Sequence, residues 1–249
     1  MSSFNLGEIA AASLRLRREE DQAGTDPTDT AFKLRVLLGA VVAAAVAALA
    51  ACGLVTSTNR SVFILFDVSG SYAKNAPASV KLANLMIADL QPGDWLAASQ
   101  ISTCSFSEKE IILQRQLPET PSLASSTKRE LFAQLTAYAG QVKSSGYTDI
   151  HGALAQAAFE LRQRPEKARY IVMFSDMIED YSKKCDTSKV ELDLTGIHVV
   201  ATNVVKSNPS DPEAYFARLN RWEKIVTDAG GIWQLVVSPD QLPKIVTLS

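Results

Sequence analysis

The sequence predicts an α/β fold: a doubly wound, mostly parallel six-stranded sheet with helices on both faces and one antiparallel edge strand. Three observations predict it. Short runs such as SVFILFD (61–67) and RYIVMF (169–174) are wholly apolar, with β-branched and aromatic residues, as strands buried on both faces require. Segments of helical periodicity alternate with them, which argues for a covered parallel sheet. Two strand-like segments, 95–101 and 110–117, follow one another closely enough for a hairpin.

The elements follow in order. The first strand is 61–67, and a polar turn, VSGSYAKNAP, comes next. Pro77 can open a helix, and Val80, Leu82, Ala83, Leu85, Met86, Ile87 and Leu90 give 79–90 its apolar face. Gln91-Pro92-Gly93-Asp94 ends that helix. The second strand is WLAASQI (95–101) and the third is EIILQRQL (110–117). A helix is expected over 125–142, with a Ser or Thr cap and Glu130 in its first turn, and another over 150–163. The fourth strand is 169–174 and the fifth is IHVVATNVV (197–205). A long helix over 212–228 stops at Ala229-Gly230-Gly231. IWQLVV (232–237) is the sixth strand, and a short closing helix is expected over 240–247.

The apolar residues are unevenly spread. Val36 to Val55 carries no charge, and about 20 apolar residues suffice to span a bilayer. Arg15, Arg17, Arg18, Lys33 and Arg35 precede this block and only Arg60 follows closely, so the chain after residue 60 is expected outside the cytoplasm. Leu49-Ala50-Ala51-Cys52 resembles a bacterial lipobox, which implies lipid on Cys52 after cleavage. An uncleaved transmembrane helix is the other reading, and both place the domain on the extracytoplasmic side of a membrane. The expected organisation is a poorly ordered tail (1–32), a signal or transmembrane segment (33–55), a linker (56–60) and the globular domain (61–249).

Composition excludes several classes. With 25 Lys and Arg against 27 Asp and Glu, a net charge of −2 makes no electrostatic case for nucleic acid. Three cysteines are too few for a disulfide scaffold, and two histidines leave little room for a His-rich metal site. No small-molecule substrate is evident.

In open α/β sheets, ligands bind beyond the carboxyl ends of the strands. There the sequence sets Asp67, Ser69 and Ser71 after the first strand, Gly146-Tyr147-Thr148-Asp149 before a helix, and Ser175-Asp176 after the fourth strand. D-x-S-x-S at 67–71, G-x-T at 146–148 with Ala153-Leu154 beyond it, and a final Asp at 176 resemble the metal-ion-dependent adhesion site of von Willebrand factor A-type domains. Order, spacing and predicted elements agree over 61–240. The resemblance implies strand order 3-2-1-4-5-6. It implies direct ligation of Mg²⁺, with Mn²⁺ or Ca²⁺ as alternatives, by the hydroxyls of Ser69, Ser71 and Thr148, with Asp67 and Asp176 acting mostly through water. Such hard oxygen donors suit these ions. One open position would take a carboxylate from a protein partner. Gly70 is expected to let the loop bend tightly.

Further expectations follow from that placement. Tyr72 and Tyr147 would flank the metal and could touch the partner. Asp149, Glu179 and Asp180 are loop acids beside the site, with Asp149 capping the helix at 150. Cys104 and Cys185 would lie at the same end of the sheet and could form a disulfide. The expected role is partner binding, not catalysis. A structural domain that uses the fold without metal is the alternative, and a hydrolase built from Ser69, His151 and Asp176 is the minor one, lacking G-x-S-x-G. His198 is expected as a satisfied core or edge histidine, and Trp95, Trp222 and Trp233 as packing residues.

Overall fold

In the computed structural model, residues 59–202, 204, 211–237 and 241 are described. All of them belong to the second of the two units into which the chain divides, Ser57–Ser249. The expected tail, the 33–55 segment, Cys52 and nearly all of the closing helix lie outside the described residues.

The sheet has six strands in the order β3-β2-β1-β4-β5-β6. They are β1 (Arg60–Asp67), β2 (Trp95–Ile101), β3 (Ile111–Gln116), β4 (Ala168–Phe174), β5 (Ile197–Thr202) and β6 (Ile232–Val236). Only the β2–β3 pair is antiparallel, and it carries an irregularity at Ala98/Ser99. The helices are α1 (Ala76–Asp89), α2 (Pro121–Ala139), α3 (Ile150–Arg162) and α4 (Pro212–Asp228).

The alternation of side chains along β1 divides the interior in two. Val62, Ile64 and Phe66 join a core completed by residues of α1 and α2, among them Val80, Met86, Leu131 and Leu135. Phe63 and Leu65 join the opposite core, completed by Leu154 and Leu161 of α3 and Trp222 and Val226 of α4. All eight residues of β1 are buried, as its central position between β2 and β4 demands. β3, at the edge, ends in the exposed residues Gln114, Arg115 and Gln116, and polar residues blunt a free edge against unwanted pairing.

Two helices begin earlier than periodicity suggested. α1 starts at Ala76, after a 3-10 turn at Ala73–Asn75, and α2 starts at Pro121. Proline fixes φ near its helical value and lacks an N–H that the first turn would leave unpaired anyway, so Pro77 and Pro121 open the helices without side-chain caps. α2 also closes at Ala139 rather than 142. α3 and α4 are capped by side chains: Asp149 accepts from Gly152 N, and Asp211 from Ala214 N.

Arg60 and Asp94 fix the amino end of β1. Asp94 Oδ1 accepts from the Arg60 backbone N–H at 2.8 Å, and Oδ2 from Nε at 3.0 Å and NH2 at 2.5 Å, with both side chains buried. Among the described residues, no helix is long and apolar enough to cross a membrane.

Candidate metal site

β1 has β2 on one side and β4 on the other, so the strand order reverses at β1/β4. The loops leaving these strands diverge there and open a crevice. Asp67 ends β1, and Ser175-Asp176 follows β4 directly.

Backbone and side-chain bonds close three loops around this point. Ser175 Oγ donates to Asp67 Oδ2 at 2.5 Å, tying the end of β4 to the end of β1. Ser145 N donates to Val68 O at 2.7 Å, tying the loop before α3 to the loop after β1. Thr148 and Asp180 exchange backbone bonds of 2.9 and 3.0 Å, tying the loop before α3 to the loop after β4. Thr103 Oγ1 and Ser145 Oγ lie 2.8 Å apart and bring in the loop after β2.

Within this ring, Asp67 Oδ1 accepts from Ser69 N at 2.8 Å, and the Ser69 and Ser71 hydroxyls lie 3.2 Å apart. Asp176 Oδ1 accepts from Ile178 N at 3.0 Å. Asp67, Ser69, Thr148 and Asp176 are buried, whereas Ser71 is exposed. Thr148 Oγ1 has no hydrogen bond to any described residue. Neither Asp67 nor Asp176 forms an ion pair with a described residue. Burial pushes the Asp67 carboxyl up to about 6; bonds from Ser175 and Ser69 act against this, and the neighbouring Asp176 adds to it.

These residues fit a hard divalent cation. Two oxygens about 2.1 Å from Mg²⁺ at adjacent octahedral positions lie roughly 3 Å apart, close to the Ser69–Ser71 separation. The two carboxylates would gain a counter-charge that no described residue supplies. No group of three or more His, Cys, Asp and Glu able to hold a metal occurs among the described residues, and the candidate site draws three of its five groups from hydroxyls.

Tyr72, Gly70 and His198 depart from expectation. Tyr72, expected to face a partner, is 1% exposed in the α1/α2 core, its hydroxyl 3.3 Å from Ser79 Oγ. The 3-10 turn after the serine loop carries its ring inward. Tyr147 is 42% exposed beside Thr148. Gly70 has no positive φ, and a Cβ there would meet only Ser144 Oγ at 3.6 Å, so its loop does not require glycine. His198 packs on Tyr170 with ring centroids 5.0 Å apart, but its buried Nδ1 has no hydrogen-bond partner among the described residues. His151 Nε2 lies 2.8 Å from Val190 O, its backbone N–H donates to Glu179, and no hydrogen bond joins it to Ser69. Trp222 is fully buried, with Nε1 donating to Met177 O at 3.0 Å.

Glu179 and Asp180 lie in the loop after β4. Glu179 pairs with Arg221 at 3.1 Å, and burial raises its pKa. Cys104 and Cys185 are joined by a disulfide with Cα atoms 5.4 Å apart, linking the loop after β2 to the loop after β4.

Ser175 belongs to the site although the five-residue motif does not include it. Its signal was present, a hydroxyl residue between a buried strand and the motif Asp, but its partner stands 108 residues away.

No family model matches the chain, and no curated protein matches it. Among solved structures, it is similar to a von Willebrand factor type A protein from Catenulispora acidiphila (16% identity, TM-score 0.47, covering 76% of this chain and 41% of that one). It is similar to the conserved hypothetical protein BatB from Bacteroides thetaiotaomicron (15%, TM-score 0.45, 76% and 96%). A third is the manganese-loaded TRAP protein of Plasmodium vivax (20%, TM-score 0.38, 59% and 58%). At such identities the likeness concerns the fold alone. The chain spans less than half the length of the Catenulispora protein. The strand order, the single antiparallel edge and the helices on both faces are those of a doubly wound α/β domain.

Proposed function

We propose that the domain is a divalent-metal-dependent protein-binding module. Ser69, Ser71 and Thr148 would hold Mg²⁺ directly, Asp67 and Asp176 would bind it mostly through water, and a carboxylate of the partner would complete its coordination. Metal-independent partner binding would not require two buried carboxylates at one crevice with no cationic side chain of the described residues on either. That arrangement is the observation that carries the reading. Hydroxyl ligands add no negative charge, so the ion keeps its attraction for an incoming carboxylate. We further propose that residues 33–55 tether the module outside the cytoplasmic membrane, by lipid on Cys52 or as a transmembrane helix.

Thermal unfolding of the full chain with Mg²⁺, Mn²⁺ or EDTA tests the metal. A ligand bound only by the folded form raises the midpoint, and the gain grows with the logarithm of ligand excess. The midpoint is expected to rise with metal in the native sequence and not in Asp67→Ala. An unchanged midpoint in both would favour a metal-independent structural module. Labelling with a fatty-acid analogue, compared with Cys52→Ser, tests the anchor.

A further inference from the structure

The motif residue Thr148 is followed by an aspartate whose bonds exceed what a helix cap needs. Capping α3 takes one bond, and Asp149 Oδ1 makes it, accepting from Gly152 N at 2.8 Å. The same oxygen also accepts from Thr187 Oγ1, in the loop after β4. Oδ2 accepts from Ser105 N at 2.9 Å, in the loop after β2, and the Asp149 backbone N–H donates to Ser102 O at 2.8 Å in that loop. The Asp149 side chain is fully buried, and all its carboxylate partners are donors. Gly152 makes room for it: a Cβ there would lie 2.3 Å from Asp149 Oδ2. The covalent link between Cys104 and Cys185 joins the same two loops, one residue from Ser105 and two from Thr187. Two different kinds of bond thus hold one pair of loops against the residue beside Thr148.

The geometry points to Asp149 as a positioning residue that holds Thr148 and the loop bearing Asp176 in place for the metal. This rests on the metal-dependent reading above. Asp149 does not touch the ion; it acts through the peptide it shares with Thr148 and through the Thr187 and Ser105 loops. With those loops anchored, the Thr148–Asp180 backbone pair has a fixed partner on each side, and the Thr148 hydroxyl is presented without reorganisation. Outer groups of this kind set metal affinity by fixing the ligands.

The test uses the full chain with Asp149→Asn, Thr187→Val and a control, Val199→Ala, which removes core volume in β5. Asparagine would turn its amide N–H₂ toward the Ser105 N–H while keeping the oxygen for Gly152. The first readout is amide exchange in EDTA, where local opening is seen separately from global unfolding. Thr148 and Asp180 amides are expected to exchange about tenfold faster or more in both site variants, as the loss of one bond in this range implies, and not in the control. The second is Mn²⁺ affinity, expected to fall about tenfold or more in Asp149→Asn and to stay within about twofold in the control. Exchange at Thr148 and Asp180 no faster than in Val199→Ala would overturn the role of Asp149. If Asp149→Asn fails to fold, Thr187→Val decides by the same two readouts. If the native chain binds no Mn²⁺, the metal-dependent reading fails, and exchange in EDTA alone decides whether Asp149 positions Thr148.

Discussion

Ser175 donates its hydroxyl to Asp67 Oδ2 across 2.5 Å, and Ser175 Oγ in turn accepts from Met177 N at 2.8 Å. One buried side chain therefore closes the crevice between β1 and β4 and shapes the turn that carries Asp176. Met177 is the one non-glycine residue at positive φ among the described residues (φ 65°). That conformation costs about 1–2 kcal/mol for a residue with a Cβ. It is held by the Ser175 bond on one side and by Trp222 on the other, and this fits the tendency of strained residues to gather at functional sites.

Ser175→Ala should accordingly do two kinds of damage. It leaves Asp67 Oδ2 and the Met177 N–H unpaired in a dry place, at a cost of about 2–3 kcal/mol in urea unfolding. It also removes the bond that opposes the burial-driven rise of the Asp67 pKa, so metal binding at neutral pH should weaken. A variant with native stability and native Mn²⁺ affinity would show that the hydroxyl is incidental.

The Cys104–Cys185 bond closes a loop across 81 residues of separation. Cross-linking restricts the unfolded chain, and for this length the chain-entropy estimate is about 4.5 kcal/mol. Cys104→Ser with Cys185→Ser should lower the unfolding midpoint, and dithiothreitol should lower the native protein's midpoint to match. If reductant leaves the native midpoint unmoved while mass mapping shows both thiols free, the bridge carries no stability.

At the opposite end of β1, Asp94 accepts two bonds from the Arg60 side chain, one from its backbone and one from Gln91 N at 2.7 Å. Asp94→Ala takes the carboxylate from a buried guanidinium, which keeps its bond to Asp89 O, and takes the acceptor from the Arg60 and Gln91 backbone N–H groups. A loss of about 3–5 kcal/mol is expected, as for other broken buried pairs. Asp94→Asn keeps one acceptor and should lose less. Because this contact lies at the amino end of β1, the metal affinity of folded Asp94→Asn should be native. A selective loss of metal binding would mean that the strand transmits the change along its length.

What could be read beforehand divides along physical lines. Burial on both faces leaves a local mark, so β1 and β4 were legible from their apolar runs, and α4 from Pro212 and the glycines after Asp228. The motif residues were legible because their spacing is local in each loop. The start of α2 was not, since nothing in Pro121-Ser122-Leu123-Ala124 repeats the apolar period strongly, and proline rather than a capping side chain opens it. The inward turn of Tyr72 was hidden for a related reason: a loop aromatic belongs to core or surface according to the turn that carries it. The web around Asp149 depends on loops brought together from residues 102–105 and 187, and no local pattern encodes that meeting.

The charge state of Asp67 offers the sharpest test of the site. Its folded pKa, about 6, stands above the ordinary value of 3.8 because burial disfavours the anion. A raised carboxyl pKa means that the folded chain holds a proton the unfolded chain has released. Stability from this group is therefore complete below pH 4 and is lost as pH rises through about 6. The loss should reach about 3 kcal/mol by pH 7 in EDTA. Other carboxylates add slopes of their own, so the measurement is a difference between the native chain and Asp67→Asn, which cannot ionise. In EDTA, Asp67→Asn should gain about 3 kcal/mol on the native chain between pH 4 and pH 7. With saturating Mg²⁺ at pH 7 the order should reverse, because the cation replaces the proton and stabilises only the chain that can bind it. If the native chain instead gains on Asp67→Asn as pH rises in EDTA, Asp67 is ionised at low pH in the folded state, and burial does not govern its chemistry.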